Sequence, residues 1–301
     1  MRLAIEHRTT YRYSEAVSEA YNELRLQPVS DARQECLSFE ARVIPGVAMQ
    51  RYHDFHLNLV DHFFLAEPHR ELVIEGRSKV RTLASEAEPQ VAFPRERLSE
   101  CMRWERCYEF LQRSEYVSLG IDVWRLGQDA TAGSSDLWSM ALGVMRAVHQ
   151  GFRYDTAATT VASHLEDVVR LRAGVCQDFA HVMIGMCRSV QIPARYVSGY
   201  LYVAPGESLR GDLASHAWVE VFCPGVGWVG MDPTNNRLAD PHHVKVAVGR
   251  DYADAAPIRG NFKGTAHQEM HVELSITELP EPGSGPAAGA GDGIRQCVAR
   301  P

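Results

Sequence analysis

Hydrophobic side chains recur with one period at the start of this chain and with another after it. From residue 1 to about 85 the alternation is mostly period two, with Leu3, Ile5, His7, Thr9, Tyr11 and Tyr13 on one strand face. Similar runs at Leu37 to Ile44, Leu57 to Leu65 and Leu72 to Val80, punctuated by Pro and Gly, predict an antiparallel β-domain. Helical spacing then takes over, first at Leu98, Met102, Trp104, Cys107, Tyr108 and Leu111, then at Leu137, Met140, Ala141, Val144 and Val148. The stretch SEAEPQVAFPRER, with its two prolines, marks a boundary near residues 85 to 95. The expected organisation is α+β: an N-terminal β-domain over 1–90, a second domain over 91–280, and a Gly-, Pro- and Ala-rich tail over 281–301. That tail has too few large apolar groups to offset the entropy of ordering, so disorder is expected. Just before it, MHVELSITEL alternates and predicts one more strand, returning to a sheet laid down earlier.

With 301 residues, 45% of them hydrophobic, the chain can fill one large core or two ordinary ones. The net charge of -7 is dispersed, and no run of Lys or Arg could neutralise a phosphate backbone or an anionic lipid surface. Neither nucleic acid nor a membrane is an expected partner. The start, MRLAIEHRTTYRY, lacks the apolar stretch of a secretory signal. Seven cysteines form an odd set without a CxxC pair, which argues against a disulfide framework and against a structural zinc site. A reducing, cytoplasmic compartment is the expectation.

Three segments carry chemistry. In RAGVCQDFAHVMIGMCRSVQIPARYVSGY, apolar residues at Phe179, Val182, Met183, Met186 and Val190 predict a helix that starts near Gly174 and ends before Pro193. Cys176 then falls in the first turn, where free backbone N–H groups and the positive end of the helix dipole favour a thiolate. SHAWVEVF puts His216, Trp218, Glu220 and Phe222 on one strand face, and GWVGMDPTN does the same for Trp228, Gly230 and Asp232. A turn at Cys223, Pro224 and Gly225 joins the two as a hairpin. If Phe222 and Val226 close a three-residue turn, His216 stands directly opposite Asp232, and the carboxylate fixes the ring's tautomer. Sulfur, imidazole and carboxylate together are the parts of an acyl-transfer triad that works through a thioester. The Cys176 N–H is the first expected oxyanion donor, with Tyr154 and Gln177 as candidates for the second.

GVCQDFAH, SHAWVEV and GWVGMDPTN, in the order Cys, His, Asp, resemble the catalytic core of the transglutaminase-like superfamily. More narrowly, HRTTYRY, the run from Arg195 to Tyr200 and GRDYADAAPIRG look like the bacterial transglutaminase-like proteins that carry their own N-terminal β-domain. The resemblance covers nearly the whole chain apart from the tail. It implies a papain-like catalytic domain, a peptide or protein substrate, action on peptide or isopeptide amides, and no metal or organic cofactor. Hydrolysis is the expected reaction, because amine transfer needs a second pocket that excludes water; amine transfer and binding without turnover on the same fold are the alternatives.

Other features have two readings. Asp178 reads first as a favourable anion in the opening turn of its helix and secondly as a substrate contact. Trp218 and Trp228 read as core or cleft-wall residues. Asp251 and Asp254 either line the site or satisfy backbone groups in turns. His53, His56, His62 and His69 invite a metal, but HDFH lies on an apparent strand that would point its two rings to opposite faces. His242 and His243, beside Pro241, read as a loop near the cleft, and Cys187 as an ordinary core thiol.

Overall fold

The structure, a computed structural model, describes residues 1–84, 93–160, 162–207, 209–211, 215–280 and 295–297. The opening alternation builds one long strand, β1 (Arg2–Leu24), with Leu3, Ile5, His7, Thr9, Tyr11 and Tyr13 all buried, as the period predicts. It is followed by β2 (Gln34–Ile44), β3 (Gln50–His53), β4 (Leu59–Leu65) and β5 (His69–Thr82). Every pairing among them is antiparallel: β1 with β5 and β4, β2 with β5, and β3 with β4. The strand expected across HDFH is interrupted. The Asp54 carboxylate accepts from the backbone N–H of His56 at 3.0 Å and of Asn58 at 2.9 Å, which folds the chain into a turn before β4.

The two expected helical segments differ in outcome. The first is broken into a 3-10 turn over Arg95–Arg103, a single α turn, α1 (Glu105–Tyr108), and a 3-10 turn over Glu109–Leu111, with Trp104 extended between the first two. The second is α3 (Leu137–Gly151), preceded by α2 (Ile121–Ala130). Asp136 caps α3 by accepting from the Ser139 N–H at 2.9 Å. Then come β6 (Arg153–Tyr154), α4 (Leu165–Leu171), β7 (Ala173–Gly174) and α5 (Cys176–Ser189). The next segment is a five-stranded sheet in the order β11 (Arg237–Leu238), β10 (Gly227–Asp232), β9 (His216–Cys223), β8 (Ala194–Leu201), β12 (His243–Gly249). Phe179, Met183 and Met186 of α5 share one core with Ala217, Val219 and Val221 of β9, so the helix lies on that face of the sheet.

After α6 (Tyr252–Ala255) the chain goes back to the first sheet. β13 (Ile258–Lys263) pairs with the end of β1, and β14 (Gln268–Leu279) pairs with its beginning, Arg2 opposite Leu279. The predicted returning strand is present, and the first sheet is built from both ends of the sequence. A short strand, β15 (Arg295–Cys297), adds to β14, while the rest of the tail and residues 85 to 92 of the expected boundary lie outside the described residues.

Leu3, Ile5 and Val80 of the first sheet form one buried cluster with Tyr200, Val244 and Val246 of the second. The first sheet also covers β12, an edge strand whose backbone groups need partners. Gln34 donates to the Lys245 carbonyl and accepts from the Lys245 N–H, both at 2.8 Å. Asn58 does the same for Val248, donating at 2.7 Å and accepting at 2.8 Å. Two side-chain amides thus stand in for the missing neighbouring strand.

Candidate active site

Gly174 and Asp178 shape the entry to α5. The Asp178 carboxylate turns back to accept from the Val175 N–H at 2.8 Å and from the Thr159 hydroxyl at 2.6 Å. A Cβ at Gly174 would lie 2.4 Å from that carboxylate oxygen, so glycine is needed for the fold-back. Asp178 is therefore an N-terminal anchor of the helix, the first of its two readings. Burial pushes its carboxyl above the usual carboxylate range, against the pull of those two donors. Cys176 is the first residue of α5 and is 8% exposed.

His216 opens β9 and Asp232 closes β10, and the hairpin joining them is offset from the predicted one. Cys223 faces Gly227 and Phe222 faces Trp228, so the turn is Pro224, Gly225 and Val226. This register differs by two residues from a closure at Phe222 and Val226. A two-residue slip keeps every side chain on its face, so His216 and Asp232 still meet, diagonally rather than directly opposite. The ring Nε2 donates to Asp232 Oδ2 at 2.9 Å, and both residues are sealed from solvent.

Asp232 is held from every side. Its Oδ1 accepts from the backbone N–H groups of Thr234 (2.9 Å) and Asn235 (3.2 Å), and its Oδ2 also accepts from the Asn235 amide at 2.8 Å. Burial alone would raise its pKa, but the charge and hydrogen bond of His216, together with those of His243, hold it far below the ordinary carboxylate range. For His216 burial would lower the pKa, and the Asp232 carboxylate outweighs it, lifting the ring to about 10. The resting pair is therefore imidazolium and carboxylate. Since Nε2 serves Asp232, Nδ1 is the nitrogen left for sulfur. Cys176 lies close enough to the ring to favour its charged form, yet Nδ1 is buried and meets no partner within hydrogen-bond geometry.

Trp218 stacks beside the ring at 6.1 Å between centroids, and a Cβ at Gly199 on the next strand would come within 2.5 Å of the indole. The indole is 2% exposed, which makes it a core plate behind the imidazole.

Comparison with known proteins places the chain in a family. Residues 3–81 match the model of the bacterial transglutaminase-like N-terminal region, and residues 125–233 match the model of the transglutaminase-like superfamily. An uncharacterized protein of Mycobacterium leprae is 32% identical over 283 residues, covering 92% of this chain and 99% of the relative. The chain belongs to the bacterial transglutaminase-like family. Within this family, an uncharacterized Mycobacterium tuberculosis protein is 29% identical over 292 residues, covering 93% of each. A crystal structure from Cytophaga hutchinsonii, reported as a candidate cysteine protease, superposes with a TM-score of 0.72 at 23% identity. It covers 94% of this chain and 92% of its own, and it shows a shared papain-like fold with the extra N-terminal sheet.

The remaining family candidates are placed as follows. Gln177 is the second residue of α5, and Tyr154 on β6 stands opposite Gly174 and edge-on to Phe179. Asp251 is buried and accepts from the backbone N–H groups of Tyr116 (2.8 Å) and Ala253 (2.9 Å), which is the turn-satisfying one of its two readings. Asp254 binds Arg250 and His56. The four histidines from His53 to His69 do not gather. Among the described residues, the ligand-type side chains close enough to share a cation are His216, Asp232 and His243. A metal there would take the His216 nitrogen that serves Asp232. Reading His243 as a loop residue was wrong: it begins β12 and is buried, a placement the alternation in HVKVAVG signals. Asn235 gave no such signal, because its partners are set by the turn after β10. No helix among the described residues is long and apolar enough to cross a membrane.

Proposed function

We propose that this chain is a cysteine enzyme that cleaves amide bonds, peptide or isopeptide, through Cys176, His216 and Asp232. The observation that carries the reading is the buried His216–Asp232 pair at 2.9 Å, with Cys176, at a helix N-terminus, acting on the same ring. Cys176 attacks the amide carbonyl to give a tetrahedral oxyanion, which the N–H groups at the start of α5 receive. Collapse breaks the C–N bond, and the Nδ1 proton of His216 goes to the leaving amine. A water then loses a proton to His216 and attacks the thioester, and the C–S bond breaks to release the acid and return the Cys176 thiolate beside the imidazolium. Asp232 stays charged throughout and keeps the ring oriented.

An amine in place of water gives transamidation. That reading is favoured by a Pseudomonas aeruginosa protein-glutamine gamma-glutamyltransferase that is 36% identical over 100 residues, although these amount to 14% of its length. Hydrolysis is preferred because amine transfer needs a second pocket that excludes water. Cys36, Cys101, Cys107, Cys176, Cys187 and Cys223 are free, in keeping with a reducing, cytoplasmic setting. The test is mass spectrometry of adducts on Cys176 after incubation with a peptide library, with and without a primary amine. Acyl adducts that disappear in water support the hydrolase, and products carrying the amine support transfer. Absence of any adduct on Cys176 counts against both and favours a binding protein.

A further inference from the structure

The Asp232 carboxylate has a second imidazole behind it. His243, the first residue of β12, places Nε2 3.4 Å from Oδ2 of Asp232, the same oxygen that faces His216. A carboxylate can only accept, so this nitrogen carries the hydrogen. The other ring nitrogen lies 3.0 Å from Asp240 Oδ1, and Asp240 is itself tied to Arg237. Trp218 packs edge-on to the His243 ring at 5.3 Å and beside the His216 ring, filling the angle between the two imidazoles.

The strand that carries His243 is also the strand gripped by the first sheet. Gln34 closes both backbone groups of Lys245, the Val29 N–H donates to the same carbonyl at 3.1 Å, and Asn58 closes both groups of Val248. A contiguous set of contacts therefore leads from the N-terminal sheet through β12 to Asp232. The angle of that carboxylate sets the angle of the His216 ring, and small errors in such alignment cost rate steeply.

We propose that His243 is a positioning residue for the Asp232 carboxylate, and that the N-terminal sheet acts on the site through it by holding β12. This inference rests on the thiol-enzyme reading above. Two variants separate positioning from mere filling of space. In His243→Gln the side-chain amide reaches the Nε2 position and still donates to Asp232. In His243→Asn it reaches only the Nδ1 position, toward Asp240.

The readout is the rate of Cys176 alkylation by iodoacetamide in the full chain, followed by mass spectrometry, with melting temperature as a check on folding. The expected result is a rate about tenfold below wild type for His243→Asn and within about twofold of it for His243→Gln. Gln34→Ala slows alkylation about threefold in the wild-type background and no further in the His243→Asn background, because both act on one element. Equal rates for the Gln and Asn variants would overturn the proposal. So would an equal loss from Gln34→Ala in both backgrounds. A wild-type Cys176 no faster than the other thiols would instead overturn the function proposed above, and this inference with it.

Discussion

Asn58→Ala removes the amide that completes the β12 edge. Asn58 is 1% exposed, and its two hydrogen bonds to Val248, at 2.7 and 2.8 Å, are buried. Alanine leaves the Val248 N–H and C=O without partners, at about 1–3 kcal/mol for each unsatisfied group. Water entering the vacated space recovers part of that, so the expected loss is about 2–4 kcal/mol. Because the first sheet is made from both ends of the chain and shares a core with the second, the protein should unfold in one transition. In a chain of this size the loss lowers the melting temperature by roughly 3–6 °C. Thermal and urea unfolding at fixed protein concentration measure it. Asn58→Asp, which keeps the acceptor but turns a carboxylate toward the Val248 carbonyl, should be at least as unstable. A loss below about 0.5 kcal/mol for Asn58→Ala would show that the amide is not what satisfies this edge.

Further outcomes follow from the same contacts. Gly174→Ala drives a methyl group into the Asp178 carboxylate; it should lower stability by about 1–3 kcal/mol in urea unfolding and slow Cys176 alkylation. Glu220 is buried between Arg195 and Lys245, which overcome the upward push of burial and bring its pKa to about 2. Its contribution is present above the ordinary Glu value and is lost as pH falls through about 2. Glu220→Gln should therefore be about 3–5 kcal/mol less stable at pH 7, with the gap narrowing steadily in acid. His216 has the opposite sign. Its raised pKa gives stability that is full below about 6.5 and lost as pH rises through about 10, so the stability gap to His216→Gln should shrink between pH 7 and pH 11. EDTA should leave the melting temperature unchanged, since protons already join His216, Asp232 and His243.

Much of this was legible in the sequence because it depends on local period. The buried face of β1, the helix behind Cys176 and the alternation around His216 and Asp232 each follow from side-chain spacing within one segment. The hairpin register was misread by two residues, yet the site survived because an even slip does not change faces. What sequence could not give were side chains that act on distant backbone. Asp54 turns the chain inside an apparent strand, Trp104 breaks an apparent helix, and Gln34 and Asn58 pair with a strand some 190 to 211 residues away. His243 was visible as the start of an alternating run, but its contact with Asp232 arises only when β12 joins the far side of the sheet.

The central claim is that His216 and Asp232 make the sulfur of Cys176 a nucleophile. The direct measurement is the rate of iodoacetamide alkylation of each cysteine near neutral pH, in the wild type and in His216→Ala. The account predicts that Cys176 reacts first in the wild type and loses that lead when the imidazole is removed. A Cys176 that reacts at the same rate with and without His216 would contradict it.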